Sequence, residues 1–279
     1  MPRHAFRIRG NKVLKQYRSK RSYIREKEAL EKLRPHPFVT EITASYHFDV
    51  TDLNFVGVCE LRYYAGCDLH NWIECHQDGS DTKFVRYVIK KIMLAYDYAS
   101  KMSIFHRDIK PENIMIDEKG IVKLIDWELC CFTKYSSRRV GTLQYMAEEV
   151  IRGETYECIK SDIWSLGVLI FSLATGSRPY DSFTSGPTYS VYGVNSDEWI
   201  QAMYGFRWRK FWKSHENVEN FPLLPTSLKN CIEHMLKKEP DDRITLDNLM
   251  PHNFFDGEEY DQKEVVKMMR ASVTSRPFI

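Results

Sequence analysis

Over the first sixty residues, apolar and polar positions change over in short runs, the signature of strands that bury one face. Phe6-Arg7-Ile8-Arg9 and Lys12-Val13-Leu14-Lys15-Gln16-Tyr17, separated by Gly10-Asn11, predict two strands joined by a tight turn. Between residues 22 and 33 the period lengthens. Ile24, Ala29-Leu30 and Leu33 predict a helix, which Pro35 and Pro37 stop. Residues 55–61 read as an apolar strand. Residues 84–102 place apolar side chains at 84, 88, 92, 95, 96 and 99, an amphipathic helix. Residues 113–117 and 121–125, joined by Glu118-Lys119-Gly120, predict a hairpin that sets Asn113 and Asp126 at neighbouring ends. Residues 182–196, rich in Ser, Thr, Gly and Pro, predict a loop. Helical patterning returns at 199–212, 227–236 and 246–250, with no internal repeat. The stretch 205–212 reads as a core helix turning its basic residues outward. Strands first and helices later predict an α+β fold.

Composition adds limits rather than direction. The chain has 279 residues, 43% hydrophobic and 28% charged, which suits one globular domain rather than a disordered or membrane protein. Its longest apolar run, 163–174, is short for a bilayer and contains Ser165 and Ser172, so a buried helix is expected. No apolar run follows the charges of the first ten residues, so no secretory signal is expected. Seven cysteines, odd in number and without paired CxxC spacing, imply reduced thiols in an intracellular protein, cytoplasmic or nuclear. Net charge is +2, yet residues 1–34 carry twelve Lys or Arg against three Glu. That block could meet an acidic partner or nucleic acid. Without interleaved aromatic motifs, a solvated lobe partly balanced by the acidic stretch 256–264 is the expected reading.

The chemistry concentrates in His106-Arg107-Asp108-Ile109-Lys110-Pro111-Glu112-Asn113, followed by Ile125-Asp126-Trp127. A carboxylate to take a hydroxyl proton, a lysine beside it, and an amide and second carboxylate as oxygen ligands form the set that phosphoryl transfer requires. This run resembles the eukaryotic protein kinases, and Lys110 two positions after Asp108 resembles their serine/threonine type. Over residues 8–256 the motif style is similar to the calcium/calmodulin-dependent and checkpoint-like group. The resemblance implies a bilobal fold: a reduced small lobe over 1–62, a hinge over 63–66, a mainly helical large lobe over 67–256 and a tail over 257–279. It also implies ATP and Mg²⁺ as cofactors and protein Ser/Thr hydroxyls as acceptors.

Carried over residue by residue, the resemblance makes Asp108 and Lys110 catalytic and gives Mg²⁺ to Asn113 and Asp126. Lys15 would hold the nucleotide phosphates, with Glu26 as its helix partner and Glu28 close by. Leu61 would be the gatekeeper, Met115 the floor under the adenine, and Asp68 an acid reaching the ribose or a basic substrate residue. Gly141-Thr142-Leu143 through Glu149 resembles the substrate-docking segment. Asp162 would brace the catalytic loop, and Arg243 would pair with Glu149 for structure. Arg107 implies an activation loop controlled by phosphorylation, with Ser136 or Ser137 as acceptor, since Arg138 stands where the family's threonine is common. Asp68 and Glu112 hint at substrates with basic residues before the acceptor, and Leu129 at serine over threonine. No regulatory partner is legible.

Four departures stand beside the resemblance. No G-x-G-x-x-G turn lies among the 14 residues before Lys15, where Gly10 is the only glycine. The interval from Lys15 to Glu26 is short, which implies a trimmed helix. Trp127-Glu128 replaces the family's Phe-Gly, and Glu148 replaces a proline. The first departure motivates a rival reading, a kinase-like scaffold that binds without catalysing. Retention of Lys15, Asp108, Asn113 and Asp126 favours an enzyme.

Overall fold

The computed structural model describes residues 4–49, 55–179, 208–218 and 220–273. The expected loop at 182–196 and the helical pattern before Trp208 lie outside these residues.

Strands β1 (His4–Arg9) and β2 (Lys12–Tyr17) form the expected hairpin, closed by the Arg9–Lys12 pair around Gly10-Asn11. Helix α1 (Lys20–Leu33) begins two residues after β2, capped where the Ser19 hydroxyl accepts the Ser22 N–H. It ends at Arg34, held extended as a residue before proline must be. Fourteen residues make this a helix of about four turns, not a trimmed one. The short interval from Lys15 to Glu26 comes from the tight connection. The buried stripe of α1 is Tyr23, Glu26, Ala29, Leu30 and Leu33, so a carboxylate sits in the middle of an apolar face.

Two further strands, β3 (Ile42–Asp49) and β4 (Phe55–Arg62), complete an antiparallel sheet in the order β1-β2-β4-β3. Strand β3 was not legible in the pattern, because its Tyr46 and Phe48 face solvent. The chain then crosses to the helical part through 63–65, where the Tyr63 N–H donates to Asn11 O at 2.8 Å.

β5 (Gly66–Asp68), β6 (Ile114–Asp117) and β7 (Val122–Leu124) make a small three-stranded sheet. Between them run α2 (Leu69–Cys75) and α3 (Thr82–Lys101), the latter started by Asp81 and buried along Phe84, Val88, Ile92, Ala95, Tyr96 and Ala99. Strands β8 (Tyr135–Ser136) and β9 (Tyr156–Glu157) pair across the segment that contains α4 (Glu148–Arg152).

Helix α5 (Cys158–Thr175) is buried on every side, which is why its sequence is apolar without a stripe. It is the core of the large lobe, not a membrane span. Gly167 lets α7 (Thr226–Met235) pack against it, since a Cβ there would come within 2.9 Å of Met235. Between them in sequence, α6 (Trp208–Glu216) buries Phe211 and Trp212 and exposes Arg209 and Lys213, as its pattern implies. The short α8 (Leu246–Leu249) and α9 (Gln262–Val273) close the described chain.

The Arg243–Glu149 pair locks this lobe. Its two parallel contacts measure 2.5 and 2.9 Å, and the remaining guanidinium N–H groups donate to the carbonyls of Lys237, Lys160 and Lys238. All five donors are therefore used. One expectation fails: the acidic stretch after residue 255 does not balance the basic small lobe. Glu258 pairs with Lys83 at 2.5 Å and Glu259 with Lys91 at 3.3 Å, both on α3. Chain order places these acids against the large lobe's own lysines.

Candidate active site

Residues 106–113 lie in the chain between the end of α3 and the start of β6, on a backbone that α5 holds in place. Asp162 accepts the amide N–H groups of His106 (2.9 Å) and Arg107 (2.8 Å), and the Tyr96 hydroxyl at 2.8 Å. Burial pushes the Asp162 carboxyl up to about 7, against those three donors. Arg107 then adopts a left-handed φ of 63°, and Asp126 one of 61°. A non-glycine residue there costs on the order of 1–3 kcal/mol, so neighbours must fix it. For Arg107 they do: its guanidinium donates to Leu129 O (2.8 and 2.6 Å), Cys130 O (3.2 Å) and the Ser136 hydroxyl (3.0 Å).

Asp108 is nearly buried and gripped on both oxygens. One accepts the Thr142 hydroxyl at 2.8 Å; the other lies 3.1 Å from Lys110 Nζ and 3.2 Å from Asn113 Nδ2. The Lys110 ammonium also donates to Thr142 Oγ1 at 2.8 Å, so one hydroxyl links lysine and carboxylate. Gly141 permits this approach. Its φ is 116°, and a Cβ would lie 2.7 Å from Arg107 O. Asn113 donates again to Asp108 O at 2.8 Å, which leaves its amide oxygen as the remaining ligand atom.

The second half of the site gathers around Lys15, itself 1% exposed. Its ammonium lies 2.6 Å from Glu26, 2.7 Å from Asp126 and 3.6 Å from Glu128. The structure thus pairs Lys15 with Glu26 and leaves Glu28 outside, on Lys32. Burial alone would lower the lysine, yet Glu26, then Asp126 and Glu128, hold it well above its ordinary value. For Asp126, burial acts upward, but the Lys15 charge and hydrogen bond hold the carboxyl below its ordinary value. Burial pushes Glu26 up. Even so, it accepts from Lys15, from Tyr17 at 2.6 Å and from the Trp127 N–H at 3.3 Å, bonds that belong to the carboxylate. Hairpin β6–β7 joins the halves through Ile125 N–H to Asn113 O at 2.9 Å.

Leu61, one residue before the end of β4, lies opposite Val13 and is nearly buried, and Met115 lies half-buried on β6 opposite Asp68. Asp68 itself is engaged as the cap of α2: its two oxygens accept from Asn71 N (2.8 Å) and Asn71 Nδ2 (2.9 Å). A groove beside Asp108 is lined by Glu74, Glu112, Thr142, Leu143 and Met146. Ser136 is half-buried against Arg107, whereas Ser137 is exposed. Trp127 fills a fully buried slot with its indole N–H on Leu124 O at 3.3 Å.

Sequence reasoning did not foresee the direct Thr142–Asp108 bond, the Tyr17 hydroxyl on Glu26, or Glu128 as a third carboxylate facing Lys15. A Tyr two positions after Lys15 on β2 projects to the same face, the one signal available for it.

This architecture, a sheet with one helix over a helical lobe and carboxylates at the junction, is that of a phosphotransferase. The protein kinase domain family matches residues 7–255, and the chain belongs to that family. It is similar to serine/threonine-protein kinase CHK1 of Mycosarcoma maydis, 29% identical over 202 residues, covering 70% of this chain and 28% of that protein. It is 27% identical over 232 residues to the human SNF-related serine/threonine-protein kinase, covering 81% of this chain and 27% of the relative. With mouse serine/threonine-protein kinase 32C it shares 33% over 202 residues, 68% of this chain and 38% of the relative. The chain spans about a quarter to two fifths of the length of these relatives.

Proposed function

We propose that this chain is the catalytic domain of an intracellular serine/threonine protein kinase, using Mg²⁺ and ATP. The observation that carries the reading is the Asp108 carboxylate, held by Lys110, Asn113 and Thr142, the last of which also lines the adjacent groove. Asn113 and Asp126 would hold the metal. The donor set fits a hard cation, because Asp126 is kept ionised and Asn113 has its amide oxygen left over. Bound Mg²⁺–ATP supplies the γ-phosphoryl group and the charge that screens it.

The chain's own residues do the rest. Asp108 would take the proton of the acceptor hydroxyl as the hydroxyl oxygen bonds to the γ-phosphorus and the bond from that phosphorus to the departing ADP oxygen breaks, and Lys110 would offset the negative charge that develops. Lys15, oriented by Glu26, meets the phosphates. Leu61 and Met115 bound the adenine slot. Glu74 and Glu112 favour substrates with basic residues near the acceptor. Asp68 is less suited to ribose than the resemblance implies, because capping α2 engages both its oxygens.

The test is transfer of labelled γ-phosphate from Mg–ATP to a basic serine peptide, comparing the chain with Asp108→Asn. Loss of a general base reduces the rate by about 10²–10⁴. Absence of transfer by folded protein, with the Ser136 region phosphorylated and unphosphorylated, would leave the scaffold reading in its place.

A further inference from the structure

Cys131 and Cys158 are 27 positions apart in sequence, yet their sulfurs lie 3.4 Å apart. The backbone brings them together. Cys131 exchanges two hydrogen bonds of 3.0 Å with Phe105, just before the catalytic run. Cys158 starts α5, and its N–H donates to Lys134 O at 2.9 Å beside the β8–β9 pairing. Both thiols are free. They differ in access. Cys131 is half-buried and lines a groove with Lys20, Arg21, Arg107 and Arg138, whereas Cys158 is buried behind it.

We propose that Cys131 and Cys158 are a redox-modification site: a peroxide converts them to an intramolecular disulfide, and a thiol reductant reverses it. The Cys131 thiolate sulfur attacks one peroxide oxygen. The O–O bond breaks, hydroxide leaves and takes up a proton as water, and Cys131 becomes a sulfenic acid. The Cys158 sulfur then attacks the Cys131 sulfur, the S–O bond breaks, and a second water leaves with the Cys158 proton. Two thiols and one hydrogen peroxide give one disulfide and two waters; sulfur is oxidised and peroxide reduced.

The surroundings suit these roles. A hydrogen bond from Cys158 draws the Cys131 thiol down to about 6 against the effect of burial, with the Arg107 charge and Thr133 adding to it. Cys158 is pushed up, first by the same bond and then by burial, so it resolves rather than attacks the oxidant. The contact must close from 3.4 Å to the about 2.0 Å of a disulfide. The bond would staple both ends of the segment that carries Ser136, Ser137 and Thr142, whose hydroxyl reaches Asp108. Nothing in this depends on phosphoryl transfer, so the two readings fail separately.

The experiment treats the reduced, folded chain with a few equivalents of hydrogen peroxide, alkylates free thiols, digests without reductant and maps peptides by mass spectrometry. Expected is a Cys131–Cys158 cross-linked peptide, loss of two of the seven alkylatable thiols, and their return with dithiothreitol. In Cys158→Ser, Cys131 should instead be trapped as a sulfenic acid by dimedone. The cross-link map of the unsubstituted chain decides the matter even where that variant does not fold. Pairing of Cys158 with Cys130, irreversible oxidation of Cys131 beside a still-alkylatable Cys158, or seven intact thiols would each overturn the proposal.

Discussion

The Lys15 ammonium stands 2.7 Å from the Asp126 carboxylate across the junction of the two lobes. Glu26 at 2.6 Å and Glu128 at 3.6 Å make this one cation among three acids. Those carboxylates come within 4.8 Å of one another, a repulsion that the lysine charge offsets, with Tyr17 and the Trp127 N–H also donating to Glu26. Lys15→Met should therefore lower unfolding free energy by about 3–5 kcal/mol, the usual cost of stranding buried charge. It should also abolish binding of Mg–ATP. Urea unfolding and titration calorimetry measure the two effects separately. An unchanged unfolding midpoint would mean that the acids are already neutral.

Thr142 connects Lys110 to Asp108 through one hydroxyl. Under the proposed reaction, that bond sets where the base points. A hydrogen bond to a charged group is worth about 1.5–3 kcal/mol, so Thr142→Val should lower kcat by roughly ten- to a hundredfold. Thr142→Ser keeps the hydroxyl and should stay within a few-fold of the parent. A valine variant with parental kcat would remove Thr142 from the machinery.

Arg243 and Glu149 lie 94 positions apart, joined by two parallel contacts beneath Trp164. Arg243→Ala leaves a buried carboxylate without its partner and should cost about 3–5 kcal/mol in stability. Removing both charges, as Arg243→Met with Glu149→Leu, should recover part of that loss. Denaturant melts of the single and double variants check this. Equal losses in both would locate the cost in the three carbonyls that Arg243 also holds.

The parts of this protein that depend on local spacing were readable from the chain. Asp108, Lys110 and Asn113 fall within six positions, and hairpin pairing predicts that Asp126 joins them. The Glu26 assignment rested on resemblance, and the structure supplies its physical mark: an acid inside the apolar stripe of α1. What escaped was set by tertiary neighbours. Strand β3 keeps Tyr46 and Phe48 in solvent, so no apolar run announces it. Helix α2 has seven residues, too few for a period, and only its cap reveals why Asp68 is there. The Cys131–Cys158 contact depends on a two-residue strand pairing that no pattern encodes.

His106 yields a pH dependence with a definite sign. Its ring is fully buried, with Nε2 3.0 Å from Ile125 O and Nδ1 3.2 Å from the Asp108 N–H. A carbonyl needs a donor and an N–H needs an acceptor, so only the neutral ring protonated on Nε2 satisfies both. Burial pushes its pKa below the ordinary 6.5; the Ile125 bond, Asp108 and Asp126 oppose this, and Lys110 adds to it. Above pH 6.5 the ring is neutral in both states and the full contribution is present. Below that value the unfolded chain takes up a proton that the native ring refuses. Stability should then fall by up to about 1.4 kcal/mol per pH unit until the native ring itself titrates. Unfolding free energies between pH 5.5 and 7.5, measured for the parent and for His106→Gln, isolate this group from the other histidines. The parent should lose more than the variant on acidification, and parallel curves would show that the native ring accepts the proton.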